Sequence, residues 1–113
     1  MFEKLGQIAN LMKNLPKMQE EMGKLQARIT QITADGDAGG GMVKAKVNGH
    51  MEVTACVISD EAMKDKELLE DLVRAAVNQA IQKAKQAVAE ETSKMASVFG
   101  MPAGMQLPSS QGE

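Results

Sequence analysis

Four basic side chains near the start of the chain have a spacing that suits a negatively charged partner. Lys13, Lys17, Lys24 and Arg28 are separated by four, seven and four residues. On a helix that turns about 100° per residue, they fall within an arc of roughly 60°. A basic stripe of this kind can follow the phosphates of a nucleic acid. The stripe is therefore a candidate phosphate-binding surface.

An ordinary solvated helix face explains the same stripe. Glu20 and Glu21 lie three or four residues from Lys17 and Lys24, a spacing at which opposite charges pair on a helix. From these residues alone, the solvated face is the favoured interpretation. Weaker phosphate-binding candidates occur later in the chain, where three lysines do not share a single helix face: Lys83, Lys85 and Lys94.

Side chains that could support catalysis have no partners visible in the sequence. His50 beside a predicted turn is expected on the surface, and Cys56 in a predicted strand is typical of a small buried hydrophobe. The acidic cluster at 60–71 suits a solvated helix start, and its metal binding would be nonspecific. Gly39–Gly41 lacks the Gly-Lys-Ser/Thr that follows in a phosphate-binding loop. The residues predict no enzyme, no cofactor and no metal site.

The composition predicts a small domain that self-associates. The hydrophobic fraction is 43% of 113 residues, but it includes fifteen Ala and ten Met. Only 23 residues are Leu, Ile, Val or Phe, and a chain of this size buries comparatively little surface alone. A single Cys and a single His exclude an intrachain disulfide framework and a Cys/His zinc cluster. With no signal-peptide order and no membrane-length apolar run, a reducing cytoplasm is expected.

A heptad repeat in the first 34 residues predicts a helix that packs along another helix. Apolar residues occupy both seam positions through four repeats. Pro16 within the repeat removes a backbone donor and predicts a kink or a break. The residues predicted for dimer or helix packing are Ile8, Leu11, Leu15, Met18, Met22, Leu25, Ile29 and Ile32.

Strands are predicted after this helix. Residues 42–58 alternate in polarity, and 33–37 is a candidate further strand folded back through Ala38–Gly41. Asn48-Gly49 marks a hairpin. Agreement between hydrophobic patterns favours a three-residue loop over Val47–Gly49, which pairs Lys46 with His50 and gives Gly49 the left-handed conformation.

Helical periodicity returns from about residue 66 to 97, with an alanine-rich side that allows close approach of a helix or sheet. Ser59 and Asp65 are candidate helix caps before it. The predicted fold class is α+β, with the order α-β-β-β-α, a small antiparallel sheet and long N- and C-terminal helices in a homodimer. Residues 1–99 are expected to form one domain, and 100–113, rich in Gly, Pro, Met and Ser, a flexible tail.

Several segments in order resemble the YbaB/EbfC family of bacterial nucleoid-associated proteins. The most specific is LLEDLVRAAVNQA at Leu68–Ala80. The others are Asn10–Lys13, Lys17–Glu20, Gly36–Lys44, Val47–Gly49, Lys94–Ser97 and Gly104–Pro108. The chain departs from the family at Ile58-Ser59-Asp60, where many relatives have Ile-Asp-Pro, and at Pro16, where relatives often have continuous helix.

The resemblance implies a small α/β homodimer that binds double-stranded DNA and helps to organise the nucleoid or influence expression. It also implies a cytoplasmic, nucleoid-associated location, with no membrane and no small-molecule substrate. With no Trp or Tyr and only two Phe, the chain has few aromatic stacking residues, which argues against single-strand recognition. Few side chains other than Lys and Arg could read bases in a groove, so mainly phosphate contact is expected. The alternative function is a dimeric protein–protein adaptor that uses the heptad seam and the acidic segment 59–73.

Overall fold

The computed structural model describes residues 2–98 and confirms the predicted α+β order, with one short extra helix. The predicted tail, 100–113, lies outside the described residues. The three strands form one antiparallel sheet in the order β1-β2-β3. The elements are α1 (Phe2–Gln31), β1 (Thr33–Ala38), β2 (Val43–Asn48), β3 (Val53–Ile58), α2 (Asp60–Met63) and α3 (Lys66–Val98).

Helix α1 runs through Pro16 without interruption. Of the two predicted alternatives, a kink or a break, the break is wrong. Proline removes its own backbone donor, and its ring crowds the carbonyl one turn earlier, at Met12, so the disturbance falls on a single turn. The remaining turns on both sides keep their hydrogen bonds, and helix propagation is cooperative.

The core lies between the sheet and the alanine-rich side of α3. Helix α3 lies across β1 and β2, and Ala76, Ala80 and Ala84 are completely buried there. Val43 and Val47 of β2 are the largest fully buried side chains. Alanines spaced by four residues form one small-residue row on the helix, so the helix backbone comes close to the sheet, as the sequence predicted.

Gly36 in β1 makes this close approach sterically allowed. A Cβ built on Gly36 would collide with the carbonyl oxygen of Ala76 and would lie 2.7 Å from the amide nitrogen of Ala80. Next to it, the backbone N–H of Asp37 donates to Oε1 of Gln79 at 2.7 Å. Strand β1 can thus lie close to α3 because Gly36 has no side chain, and the hydrogen bond from Asp37 to Gln79 fixes its position there.

The β2–β3 loop differs from the prediction by two residues. The amide of Asn48 donates to the carbonyl of Glu52 at 3.0 Å, so the loop is residues 49–51 rather than 47–49. Oδ1 of Asn48 also accepts from the amides of His50 and Glu52. This side chain holds the loop closed from its first strand, and the strands pair Val47 with Val53 and, beyond a bulge, Lys46 with Ala55. The predicted pairing of Lys46 with His50 is wrong.

Met51, and not Gly49, has the left-handed backbone, with φ 63°. Glycine is required at position 49 for a different reason. A Cβ there would collide with the carbonyl oxygen of Ile29 near the end of α1. The loop is therefore a contact between the sheet and the first helix.

The turns before α2 and α3 are capped by side chains, as predicted. Oγ of Ser59 accepts from the amide of Ala62 at 3.2 Å, and Oδ1 of Asp65 accepts from the amide of Leu68 at 3.1 Å. Such caps satisfy amides that have no partner within the helix. The acidic segment thus begins two helices.

We expect Gly36→Ala to lower stability by about 2–3 kcal/mol, because its methyl group would push β1 away from the α3 backbone. The midpoint of thermal unfolding should fall by roughly 10 °C, measured by circular dichroism. Gly23→Ala is the control, since a Cβ at that helical position meets nothing within 4 Å. An unchanged midpoint for Gly36→Ala would contradict the close-approach argument.

Candidate nucleic-acid interface

The predicted seam of α1 is only partly covered within one chain. Leu25 is buried, with 5% of its surface exposed. Met18, Ile29 and Ile32 are half-buried, whereas three seam residues nearer the N-terminus remain open to solvent: Ile8, Leu15 and Met22. Leu11 belongs to the helix, but its side chain lies outside the described part of the structure. The C-terminal half of α1 is thus the half that packs.

The four predicted phosphate-binding residues are all exposed on α1. Their surroundings divide them into two pairs. Within residues 2–98, Lys13 and Lys17 have no carboxylate within 4 Å. Lys24 and Arg28 both have one or more. The solvated, salt-bridged face anticipated from the sequence therefore applies to the second pair and not to the first.

Lys24 is held by two carboxylates on its own helix. Its Nζ lies 3.4 Å from Glu21 Oε2 and 3.6 Å from Glu20 Oε1. The hydrogen bond to Glu21, together with the charges of Glu21 and Glu20, raises the pKa of Lys24 above its ordinary 10.5. Lys24 thus remains charged, and its charge is largely compensated where it stands.

Arg28 is paired with a carboxylate of the other long helix. Its Nε lies 3.0 Å from Glu91 Oε1, and Lys94 Nζ lies 3.4 Å from Glu91 Oε2. Glu91 therefore joins a basic residue of α1 to a basic residue of α3. Sequence reasoning missed Glu91, because nothing in the local pattern relates residues 63 positions apart.

The remaining predicted cations lie on α3. Lys83 and Lys85 are exposed, and neither has a carboxylate within 4 Å in the part of the chain that the structure describes. Lys94, also exposed, shares Glu91 with Arg28. The structure thus places these three lysines on α3, and among the described residues Lys94 is linked to the α1 stripe through Glu91.

The other chemically capable side chains do not form a site. His50 is exposed, as expected, but Cys56 is exposed too. The expectation of a buried cysteine is wrong, because α3 covers β1 and β2 and leaves β3 open. No group of three or more His, Cys, Asp or Glu suited to a metal ion occurs among residues 2–98. In the same range, no helix combines the length and apolar character needed to span a membrane.

We expect Glu21→Gln to lower the pKa of Lys24 toward 10.5, because the variant removes the main hydrogen-bonding and charged partner. The measurement is an NMR titration of the Lys24 side chain. The raised pKa means that the contact stabilises the fold below pH 10.5 and is lost as the pH rises through the higher value. Glu70→Gln, on the other helix, should leave Lys24 unchanged. An unaltered Lys24 titration in Glu21→Gln would refute the assignment.

Comparisons with known proteins agree with this architecture. The model of the YbaB/EbfC DNA-binding family matches residues 4–99. The nucleoid-associated protein TTE0040 of Caldanaerobacter subterraneus subsp. tengcongensis is 44% identical over 97 residues, which cover 84% of this chain and 87% of that protein. The crystal structure of the uncharacterized protein HP0035 from Helicobacter pylori superposes with a TM-score of 0.61 at 26% identity, covering 80% of this chain and 94% of that one.

These matches extend over nearly all of the described helices and strands. The family match spans the segments whose order resembled the family in the sequence, except Gly104–Pro108, and it includes Leu68–Ala80 in the N-terminal half of α3. The solved structure shares the fold over most of its own length. The chain is a member of the YbaB/EbfC DNA-binding family.

Proposed function

We propose that this protein binds double-stranded DNA as a homodimer, mainly through backbone phosphates, and acts in nucleoid organisation or gene regulation. The observation that carries the proposal is the pair Lys13 and Lys17. In a chain of a DNA-binding family, these lysines are exposed on α1 and have no carboxylate within 4 Å among the described residues. Their charge is available to an external anion.

The geometry of the pair suits a phosphate backbone. Lys13 and Lys17 are one turn apart, about 6 Å along the helix axis. Phosphates of one DNA strand recur about every 3.4 Å along the duplex axis, so both ammonium groups can reach the same run of the backbone. Lysine presents a point charge without the fixed fork of arginine. Such contacts fix position on the duplex and carry little sequence preference.

The rest of the predicted DNA-binding set takes a secondary place in the proposal. Lys24 and Arg28 are paired with protein carboxylates, so each must break an ion pair before it can bind a phosphate. On α3, Lys83 and Lys85 are exposed and are the weaker candidates, because they do not share a helix face. Lys94 shares the carboxylate that holds Arg28. Lys13 and Lys17 therefore contribute most to the electrostatic part of binding.

The two edges of the sheet support the proposed homodimer. Strand β1 carries Asp35 and Asp37, and the Asp37 amide is already bonded to Gln79. Charged side chains on an edge discourage pairing with another chain. Strand β3, at the opposite edge, reads VTACVI and has no charged residue. A second copy is thus expected to meet β3 rather than β1.

Both faces of β3 are open to a partner. Val53, Cys56 and Ile58 pair with the buried residues of β2 and lie on the same side as α3. They are nevertheless exposed, as is Val57 on the opposite side, with 63% of its surface accessible. A second copy at this edge would cover apolar surface that α3 leaves open, which agrees with the core-poor composition.

For DNA binding, we expect Lys13→Gln/Lys17→Gln to weaken affinity for a duplex and to reduce the salt slope, d log K/d log [salt], by about 1.8, or about 0.9 per lost contact. Fluorescence anisotropy between 50 and 200 mM salt is the measurement. Lys44→Gln/Lys46→Gln is a matched control, because it removes the same charge from exposed positions on the sheet.

Equal losses in the two double variants would show that overall charge, and not the α1 site, determines affinity. Unchanged affinity in Lys13→Gln/Lys17→Gln would make the site assignment wrong. If the unaltered protein failed to bind duplex DNA at low salt, the proposed function itself would fail. The adaptor using the seam and the acidic segment 59–73 would then be the better hypothesis.

For the homodimer, we expect Val57→Glu to shift the protein toward monomer, because two carboxylates would be brought into an apolar contact. The mass in solution, from light scattering coupled to size-exclusion chromatography, is the measurement. Thr33→Glu places the same charge on β1, at the other edge, and should leave the dimer intact. A monomeric unaltered protein, or equal dissociation in both variants, would exclude the β3 interface.

A further inference from the structure

Glu91 lies between α1 and α3 and pairs with two of the basic residues proposed to bind DNA. Its two carboxylate oxygens contact Arg28 of α1 and Lys94 of α3. The Glu91 side chain is 19% exposed, whereas those of Arg28 and Lys94 are 44% and 71% exposed. A single acid, largely covered by protein, thus holds two accessible bases.

The contact with Arg28 is close but poorly directed. Nε lies 3.0 Å from Oε1, yet that buried oxygen accepts no hydrogen bond. The ion pair therefore depends on charge attraction without the alignment that makes an arginine–carboxylate pair strong. A buried acceptor without a hydrogen bond carries a free-energy cost. Both features make Glu91 replaceable by a better-placed anion.

Space for another anion lies beside the contact. A shallow depression of about 430 Å³ is lined by Ala27, Arg28, Gln31, Ile32 and Glu91. Arg28 can present its guanidinium to two oxygens of a phosphate, and the side-chain amide of Gln31 supplies a further donor. The two bases and the one acid leave a net positive charge at this position.

We propose that Arg28 and Lys94 form a phosphate-binding site across α1 and α3, which Glu91 occupies until a DNA phosphodiester displaces it. The carboxylate is an internal substitute for phosphate and lowers affinity for duplex DNA. The inference rests on the proposed function, since it assigns regulation to part of the same surface. It also explains why bases from two different helices converge on one acid.

Glu91→Gln removes the competing charge and should increase duplex affinity. At any one salt concentration the gain should be roughly fivefold, the free energy of two partly exposed ion pairs that DNA no longer has to break. The salt slope should stay the same, because Arg28 and Lys94 meet phosphates in both complexes. Fluorescence anisotropy with the same duplex measures both quantities.

Glu90→Gln is the matched control. Glu90 is exposed and in no ion pair within the described residues, so the variant makes the same change in net charge without releasing a base. It should change the affinity much less than Glu91→Gln does. Equal gains in affinity in the Glu90 and Glu91 variants would overturn the inference while leaving DNA binding intact. The gain should also vanish when Glu91→Gln is combined with Arg28→Gln and Lys94→Gln.

A measurement on the unaltered protein covers the case in which Glu91→Gln fails to fold. The Nε–Hε NMR resonance of Arg28 should move when saturating duplex DNA is added, because its partner changes from carboxylate to phosphate. If this resonance stayed fixed while those of Lys13 and Lys17 moved, the inference would be wrong and the proposed function would stand. If no lysine resonance moved, the proposed function would fail first.

Discussion

The close contact between β1 and α3 is the constraint on which the other elements depend. Ala76 and Ala80 bring the backbone of α3 close to the sheet. At position 36 there is no room for a Cβ between β1 and α3, so only glycine fits. A core built from alanine and valine buries little apolar area per residue, so short distances must supply much of its packing energy. Helix α3 consequently packs on one face of the sheet and covers two of its three strands.

This one-sided arrangement determines where surface is left for other molecules. Helix α3 needs β1 and β2 to bury its alanines, so the apolar residues of β3 remain exposed despite lying in the same sheet. Helix α1 contacts the sheet loop through Ile29 and Gly49 and buries Leu25. The apolar residues nearer the N-terminus of α1, such as Ile8 and Leu15, remain exposed to solvent. An elongated molecule with extents of 72 × 26 × 16 Å is the result.

The long helices also set the electrostatics. Among the described side chains, the ion pair that joins α1 to α3 lies in the C-terminal half of α1. Arg28 therefore meets Glu91, while Lys13 and Lys17 have no carboxylate within 4 Å among the described side chains. A net charge of −2 is compatible with an accessible positive surface, because the acids of 59–73 start helices at the other end of α3.

The sequence alone determined the features that depend on neighbouring residues. Helical and strand periods predicted the order of elements, the alanine face of α3 and the caps at Ser59 and Asp65, since hydrophobic spacing and local hydrogen bonds act over a few residues. The same locality predicted the pairing of Lys24 with its neighbouring glutamates. The sequence also resembled the YbaB/EbfC family, and the family match over residues 4–99 confirms it.

Tertiary structure decided what depends on distant residues. The hairpin register followed the Asn48 side chain and the proximity of Gly49 to Ile29, so a prediction that gave glycine the left-handed position was wrong by two residues. Cys56 is exposed because α3 extends over other strands. Arg28 and Glu91 are close in space because α3, which follows the sheet in the chain, packs back against the end of α1. Contacts of this kind arise from packing between elements, and no periodicity in a single chain records them.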